Sequence, residues 1–496
     1  MPHTSARQGR SAIWCVIVLG ALPSCTTATP QQDAASLFAV HKVIVLDGDG
    51  QENARSKLIV ADVTGDGRPD WILKNGFRLI KAYDHDGAKL FEHRNPDGFA
   101  NGAPWHPFVD LAWDLDGDGK AEIIATWHKA DGHYLQILDG ETGAVLRQKK
   151  LWHDRAPRGN NAILMALMFP DASARPVILV EDGLATGAQA RGYDHVHAFD
   201  RELNALWVAS TPRAGHYVFP YDLDHDGTTD VVFAGKHVLD AQGALLWTMS
   251  GWGADHVDSL AAGDIDPARP GYEVVAVGRT GTRMYDVEDG SILWHLDTSA
   301  IPDPQHVMIG ELSPAAAGLE IVVKERASEP GRETYLIDYR GRIHDRVSHG
   351  PAPYLNADLD GDRRVDEMIA GRGVATDLSL TETSNDAWYV GAQGLSGNER
   401  GLHPHEIWNP HPIVQDVLGD AREEMIVWGR HALVVGTPVR GAGGASLRGH
   451  RAYQLRGVNQ AFNRAGLYFD FRTTELDEAQ IASATAGRAP VRLEVR

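Results

Sequence analysis

The feature that most constrains this chain is an acidic turn that recurs along it. Copies of D-x-D-x-D-G-x-x-[DE], intact or worn, have first acidic residues at 62, 114, 222, 264, 311, 358 and 416, and a weakened copy begins at 168. Each copy precedes a second hairpin such as MYDVEDGSILW or VLDAQGALLW. Two hairpins give four short strands per repeat, and such units are typical of a β-propeller.

The eight copies therefore predict an all-β fold, an eight-bladed β-propeller that spans residues 41–480 and leaves a C-terminal tail at 481–496. The alternative is two or three unrelated β-domains. Composition agrees with many turns and few long helices, because the chain has 52 Gly and 25 Pro. The 43% hydrophobic residues exclude a disordered chain.

The N-terminal residues 1–24 are predicted to be an export signal, since a basic start precedes the short apolar run SAIWCVIVLGAL. The following Leu-Pro-Ser-Cys resembles a bacterial lipobox, which predicts lipidation of Cys25 and a tether at 25–40. The alternative is an ordinary signal peptide cut nearby. Both predict export to the periplasm or cell surface, and the lipobox predicts anchoring to the outer membrane. The other cysteine, Cys15, lies within the signal, so no disulfide is expected.

The acidic turns also predict calcium sites. Their pattern places side-chain oxygens at positions 1, 3, 5 and 9 and a carbonyl at 7, which suits a hard cation. The copies at 264, 311 and 416 have lost ligands and are predicted to be turns held by their own hydrogen bonds. Four copies keep enough carboxylates to predict structural calcium: Asp62, Asp66 and Asp70; Asp114, Asp116, Asp118 and Glu122; Asp222, Asp224, Asp226 and Asp230; and Asp358, Asp360, Asp362 and Asp366.

Imidazoles and cations recur at the other end of each repeat, just before its first strand and just after its second. The earlier position holds His106, His216, His256, His306, Tyr354 and His411, and the later one holds Lys74, His128, Lys236, Arg279, Lys324, Arg326, Arg372 and Arg430. Each residue alone could be a cap or a solvated edge charge. Together they predict a basic funnel for an acidic polymer. The net charge of −20 argues against a general nucleic-acid binder.

Several of these segments resemble the bacterial rhamnogalacturonan lyases of polysaccharide lyase family 11. The resemblance covers about residues 57–340 and rests on AGHYVFPYDLDHDGTTDVVFAGKHVLDAQGALLW, GADHVDSLAAGDIDPARPGYEVV, KLIVADVTGDGRPDWILKNG, HPFVDLAWDLDGDGKAEI and YLQILDGETGAVL. It implies a calcium-dependent, eight-bladed propeller that cleaves between rhamnose and galacturonate by β-elimination. It also implies that His106, His216, His256 and Lys74 surround the central cleft. The family's preceding β-sandwich is absent, and Trp127-His128-Lys129 replaces a family lysine.

Uronate β-elimination needs a cation to neutralise the carboxylate, a base for the C5 proton and an acid for the departing O4. The hypothesis assigns neutralisation to Lys74, Arg279 or Lys324, with or without calcium. It assigns the catalytic base and acid roles to His106, His216 and His256, although clustered imidazoles could instead hold a transition metal. A monomeric enzyme with an acidic polysaccharide substrate is expected. One alternative is a glycoside hydrolase, whose candidate carboxylates outside the acidic turns are Glu181, Asp182, Asp255, Asp258 and Glu325. The other is a non-catalytic glycan-binding lipoprotein.

Overall fold

The structure is a computed structural model. It describes residues 38–96, 111–151, 164–171, 175–181, 195–215, 218–224, 226–310, 317–325, 333–348, 355–357, 367–370, 373–376, 379–382, 413–419, 423–428 and 432–438. Within these ranges, no helix has the length and apolar character needed to cross a membrane.

The described chain is built almost wholly of β-strands. It begins with strand β1 (Phe38–Val45) and the short helix α1 (Gly50–Arg55), so β1 starts within the segment predicted to be a tether. The strands that follow form consecutive antiparallel sheets. Sheet 1 contains β2 (Lys57–Ala61), β3 (Asp70–Asn75), β4 (Leu79–Tyr83) and β5 (Lys89–Arg94). Sheet 2 contains β6 (Leu111–Trp113), β7 (Glu122–Lys129), β8 (Gly132–Leu138) and β9 (Val145–Lys150).

Sheet 3 contains β10 (Leu164–Met168), β11 (Val177–Glu181), β12 (His195–Phe199) and β13 (Ala205–Ser210). Sheet 4 contains β14 (Val218–Tyr221), β15 (Val231–Ala234), β16 (His237–Leu239) and β17 (Leu245–Thr248). Sheet 5 contains β18 (Ser259–Gly263), β19 (Glu273–Gly278), β20 (Gly281–Asp286) and β21 (Ile292–Leu296). Sheet 6 contains β22 (Pro304–Gly310), β23 (Glu320–Glu325), β24 (Glu333–Ile337) and β25 (Ile343–Ser348).

Sheet 7 contains β26 (Leu355–Ala357), β27 (Glu367–Ala370), β28 (Gly373–Thr376) and β29 (Ser379–Glu382). Sheet 8 contains β30 (Ile413–Gln415), β31 (Glu424–Trp428) and β32 (Ala432–Pro438), and its fourth strand is β1. The described residues thus form eight four-stranded sheets, and the last one joins both ends of the described chain.

In sheets 1, 2 and 5, where the acidic turn is described throughout, it lies in the hairpin between the first and second strands of the sheet, as predicted. In sheet 1, for example, Ala61 pairs with Asp70 beside this hairpin, while Lys57 pairs with Lys74 at the far end of the same two strands. We call these two ends of every sheet the acidic end and the opposite end. Six of the imidazoles and cations singled out in the sequence are described, and they lie at the opposite end: Lys74, Lys236, His256, Arg279, His306 and Lys324.

The inner strands are buried on both faces because each sheet packs between neighbours. All five residues of β2 and all four of β15 are buried, which explains why these strands read as continuous apolar runs. Sheets 1 and 2 share one hydrophobic core, sheets 3 and 4 another, and sheets 5 and 6 a third. A fourth core contains residues of sheets 8 and 1, including Trp428 and Trp71.

Trp207, Trp247 and Trp294 pack between consecutive sheets. Each lies on the outer strand of its sheet and covers a glycine in the outer turn of the next sheet, Gly243, Gly290 and Gly341 respectively. The Trp247 indole N–H also donates to the Val287 carbonyl at 2.9 Å, and that of Trp294 donates to the Tyr339 carbonyl at the same distance.

Replacing Gly243 by alanine should destabilise the fold. Its φ is +80°, and a Cβ atom there would lie 2.4 Å from the Trp207 ring. Backbone strain and the clash together should lower the free energy of unfolding by about 3 kcal/mol. The matched control is Gly271→Ala, because Gly271 also has a positive φ, +104°, but faces open space. Its expected loss in a urea titration is about 1 kcal/mol, and equal losses for both variants would contradict the packing argument.

Candidate functional site

The carboxylates of the second acidic loop converge as a metal site requires. Atoms of Asp114, Asp116 and Glu122 all lie within 4.8 Å of one another. Backbone N–H groups of the loop hold them, since Gly117 donates to Asp114 at 2.6 Å and Leu115 donates to Glu122 at 2.8 Å. Burial, reinforced by the neighbouring aspartates, raises the pKa of Glu122 to about 7. A cation would compensate this concentrated negative charge.

The third predicted loop repeats this arrangement. Asp222, Asp224 and Asp230 form a second group within the same 4.8 Å limit. Leu223 donates its N–H to Asp230 at 2.6 Å, and burial raises the pKa of Asp230. The position-5 ligands predicted for these two loops have local partners. Asp118 accepts the Lys120 N–H at 2.8 Å, and Asp226 accepts the Thr228 N–H at 2.7 Å.

In the first predicted loop the carboxylates are engaged by other groups. Asp66 pairs with Arg68 at 2.6 Å and lies 3.3 Å from the His85 imidazole. One Asp70 oxygen accepts the N–H groups of Val63 and Thr64 at 2.9 and 3.0 Å, and burial raises the pKa of Asp70 to about 7. Asp62 accepts the N–H groups of Gly65 and Gly67, each at 2.7 Å.

Two worn loops are held by their own hydrogen bonds, as predicted. In the loop at 264, Glu273 accepts the backbone N–H groups of Ile265 and Asp266, both at 2.9 Å, and Arg269 lies 3.9 Å from its other oxygen. In the loop at 416, Glu424 accepts the Val417 N–H at 3.0 Å and the Leu418 N–H at 3.1 Å.

At the opposite end, sheets 4 and 5 bring an imidazole, two carboxylates and an ammonium group together. His256 lies between Asp255, 3.3 Å from Nδ1, and Asp258, 3.2 Å from Nε2. The Asp258 side chain is 2% exposed, whereas that of His256 is 25% exposed. Lys236 comes from the neighbouring sheet and donates to the Asp255 carbonyl at 2.9 Å. An imidazole with a buried carboxylate partner has a fixed orientation, which proton transfer requires.

Asp255 and Asp258 are predicted from the sequence only as hydrolase carboxylates, and their contacts with His256 were missed. A local signal was present in the sequence. His256 and Asp258 are two residues apart in the segment just before β18. In an extended segment, residues i and i+2 lie on the same face, so this spacing places imidazole and carboxylate side by side.

Arg279 lies at the same end of sheet 5. Asp258 donates its N–H to the Val277 carbonyl at 2.8 Å, and Arg279 follows Val277 by two residues at an exposed turn. The structure therefore places this predicted substrate-binding cation at the end of the sheet that carries His256.

Sheet 6 contributes a second polar group. His306 and Lys324 are Cα partners on β22 and β23, so the two predicted residues lie side by side. Lys324 is 2% exposed, and its burial lowers its pKa to about 8. The next residue in the chain, Glu325, accepts a hydrogen bond from the Tyr335 hydroxyl at 2.8 Å.

Lys74 is enclosed between sheets 1 and 2. It is 1% exposed, and its ammonium group donates to the carbonyls of Gly76 and Thr126 at 2.5 and 3.0 Å. The same group lies 5.4 Å from the centre of the Trp127 ring. These contacts give Lys74 a packing role in addition to its predicted part in substrate binding, which stays a prediction.

The remaining predictions stay predictions, because their residues or side chains lie outside the described part. The backbone of His128 lies in β7, but its side chain is outside that part. The others outside it are the predicted catalytic or substrate-binding residues His106, His216, Arg326, Tyr354, Arg372, His411 and Arg430, the fourth-loop carboxylates Asp358, Asp360, Asp362 and Asp366, and Cys25 with the export signal.

Comparison with known proteins identifies the family. The model of the C-terminal domain of rhamnogalacturonan lyase family 11 matches residues 130–433. The rhamnogalacturonan endolyase YesW of Bacillus subtilis is 26% identical over 81% of this chain and 71% of its own length. The rhamnogalacturonan exolyase YesX of the same organism is 26% identical over 77% of this chain and 70% of its own.

Solved structures agree on the fold. The crystal structure of rhamnogalacturonan lyase YesW superimposes with a TM-score of 0.61 at 20% identity, covering 86% of this chain and 81% of that one. The Bacillus licheniformis rhamnogalacturonan lyase PL11 gives the same TM-score and identity over 87% of this chain and 81% of its own. The family match includes sheets 3 to 6 and the Asp255–Asp258 cluster. The chain therefore belongs to rhamnogalacturonan lyase family 11, a family of polysaccharide lyases.

Proposed function

We propose that this protein is an exported polysaccharide lyase that cleaves a rhamnogalacturonan-like, uronate-containing polymer by β-elimination. The observation that carries the proposal is the family match across residues 130–433, within which His256 is held between two carboxylates. The predicted signal at 1–24 and the lipobox cysteine Cys25 support attachment to the outer membrane, at the periplasm or the cell surface.

We infer that the eight sheets close into an eight-bladed propeller and that the substrate binds in its central cleft. Closure is supported by the pairing of β1 with β32 in sheet 8. It is further supported by the core shared between sheets 8 and 1, where the Trp428 indole donates to the Ser56 carbonyl at 2.9 Å. A closed ring of this kind brings the opposite ends of all sheets to one opening.

In the proposed reaction, His256 transfers a proton to or from the substrate. We assign this transfer to Nδ1, since its partner Asp255 is 21% exposed whereas the Nε2 partner Asp258 is 2% exposed. Asp258 would hold the ring in its orientation. A base takes the C5 proton, the C5–H electron pair forms the C4–C5 double bond, the C4–O4 bond breaks, and an acid gives O4 its proton. His256 serves as one of these two groups.

Arg279 is the first candidate for neutralising the uronate carboxylate. Its exposed side chain follows Val277, whose carbonyl accepts the N–H of Asp258. A cation beside the carboxylate stabilises the charge that develops when the C5 proton is removed. Lys324 is a second candidate, and its burial lowers its pKa to about 8, so its charge would be lost as the pH rises through that value.

We also propose that the acidic loops bind calcium. The convergent groups of the second and third predicted loops support this for Asp114, Asp116 and Glu122 and for Asp222, Asp224 and Asp230. Calcium would join the strands of each hairpin at the acidic end, so its role would be structural.

The assay that tests the reaction type is incubation with rhamnogalacturonan, with polygalacturonan as comparison. We expect ultraviolet absorbance from the C4–C5 unsaturated product to rise together with the number of reducing ends, because β-elimination generates both. Depolymerisation without this chromophore would indicate hydrolysis, and binding without depolymerisation would indicate a non-catalytic glycan-binding protein. Either result would contradict the proposed lyase.

A further inference from the structure

The connector between sheets 4 and 5 carries the Asp255–Asp258 cluster. This segment, residues 249–258, is called the His256 connector below. Its backbone is bonded to both sheets, since Met249 donates to the Lys236 carbonyl at 2.8 Å and Asp258 donates to the Val277 carbonyl at 2.8 Å. Between these two points the backbone has one isolated bridge, from Val257 to Gly215, and a turn bond from Asp255 to Trp252. Side chains supply the other bonds that hold its course.

Lys236 holds the connector from sheet 4. Its side chain is buried, and its ammonium group donates to the carbonyls of Gly253 at 3.3 Å and Asp255 at 2.9 Å. The second of these carbonyls belongs to the residue directly before His256. A charged donor that bonds two successive turns of backbone restricts the rotation of the peptide that leads into the imidazole.

Arg283 holds the connector from sheet 5. Its guanidinium carbon lies 4.8 Å from the centre of the Trp252 ring, and both groups are buried. Thr280 fixes the guanidinium by accepting its N–H groups at 3.1 and 3.2 Å. The Trp252 carbonyl in turn accepts a hydrogen bond from the Asp255 N–H at 2.9 Å. The Arg283 side chain is thereby linked through one residue to the turn that bears His256.

Gly278 provides the space for this arrangement. A Cβ atom at this position would lie 2.7 Å from the Trp252 ring and 2.8 Å from the His256 carbonyl oxygen. Because glycine has no side chain, Trp252 and the His256 backbone both pack directly against β19.

Residues at the position equivalent to Arg283 also contact the incoming connector in sheets 1 and 4. Arg283, Lys81 and His237 each lie three residues before the aspartate of the outer turn. Lys81 donates to the Asp47 carbonyl at 2.8 Å, and His237 lies 2.9 Å from the Pro212 carbonyl. Both carbonyls belong to the connector that enters the sheet. In sheet 5 the connector held in this way is the one that carries His256.

We propose that Lys236 and Arg283 are positioning residues for catalysis, which hold the His256 connector so that His256 lies between Asp255 and Asp258. This inference rests on the proposed function and deepens it. It also changes the part expected of Lys236, from a substrate contact to a support for the imidazole.

The test compares Arg283→Met and Lys236→Met with Lys81→Met, which removes a buried cation from a connector without His256. We expect kcat to fall about 10- to 100-fold in the first two variants, since a small displacement of a catalytic group has effects of this size. KM should change less than about threefold, because the substrate contacts are retained. Lys81→Met should keep the wild-type kcat when measured on folded protein. Lys236→Arg should recover most of the lost activity.

A double-mutant cycle separates positioning from general destabilisation. In a His256→Ala background, Arg283→Met should cause no further loss of the residual turnover, because the group it positions is gone. Additive losses, or a kcat loss in Lys81→Met equal to that in Arg283→Met, would overturn the inference. Full activity of His256→Ala would instead overturn the role of His256 within the proposed function.

A second measurement does not depend on turnover. In histidine-labelled protein, the ring resonances of His256, assigned with His256→Ala, should move in Arg283→Met and Lys236→Met and stay in place in Lys81→Met. Unmoved resonances in all three variants would overturn the inference even if the wild-type protein were inactive on every polymer tried.

Discussion

Replacing His256 by alanine is expected to lower kcat on rhamnogalacturonan by about 10²- to 10⁴-fold, the range typical of losing a general acid or base. The physical reason is its environment, since buried Asp258 lies 3.2 Å from Nε2 and half-exposed Asp255 lies 3.3 Å from Nδ1. Removing the imidazole leaves no group at that place to carry the proton. The rate of formation of unsaturated product at saturating substrate is the measurement.

His344 provides the matched control for this variant. It also pairs with a carboxylate, Asp338 at 2.8 Å, but it lies on β25, the outer strand of sheet 6. His344→Ala should therefore retain the wild-type kcat. Asp258→Asn should keep the fold and lower kcat less than His256→Ala does, because it weakens the orientation of the ring without removing it. A fully active His256→Ala enzyme would exclude His256 from the chemistry.

Exhaustive chelation is expected to lower the melting temperature by about 5 °C, which is the second large effect. If calcium occupies both carboxylate groups at a free concentration about 100 times its dissociation constant, it adds about 5 kcal/mol to the free energy of unfolding. In a chain of this size, that free energy corresponds to such a shift in melting temperature. Calcium should restore the midpoint at lower concentration than magnesium, because these loops offer many oxygen ligands in irregular geometry. Differential scanning calorimetry with and without chelator is the measurement.

Single substitutions assign this effect to particular loops. Glu122→Gln and Asp230→Asn should each reduce the shift caused by chelator by about half, since each removes a carboxylate from one convergent group. Glu273→Gln is the control, because the loop at 264 has the guanidinium of Arg269 beside that carboxylate. Its chelator response should equal that of the wild-type protein. The same melting midpoint before and after chelation would contradict the calcium assignment altogether.

Much of the fold could be read from the sequence because the information is local. Each acidic turn and each outer Asp-Gly turn fixes a hairpin within a few residues, so the strands of sheets 1, 2, 4, 5 and 6 follow directly from the repeat. The inter-sheet role of Trp247 was also predictable, because the same residue recurs at the same place in neighbouring repeats.

The pairing of β1 with β32 is different, because its partners are Phe38–Val45 and Ala432–Pro438, at the two ends of the described chain. No local pattern specifies that pairing, and the first three residues of β1, 38–40, are predicted to belong to the tether rather than to the propeller. Only the packing of sheet 8 against sheet 1 selects it.

For the candidate site too, some properties follow from the sequence and others only from the tertiary structure. The sequence by itself determined which residue types recur at the opposite end, since imidazoles and cations occur there in repeat after repeat. The tertiary structure alone decided what each does. Lys74 and Lys236 are the same residue type at equivalent places, yet each is bonded to carbonyls of a different connector or neighbouring sheet. A lysine's partner depends on which backbone is packed above it, and that is set by contacts between sheets far apart in the chain.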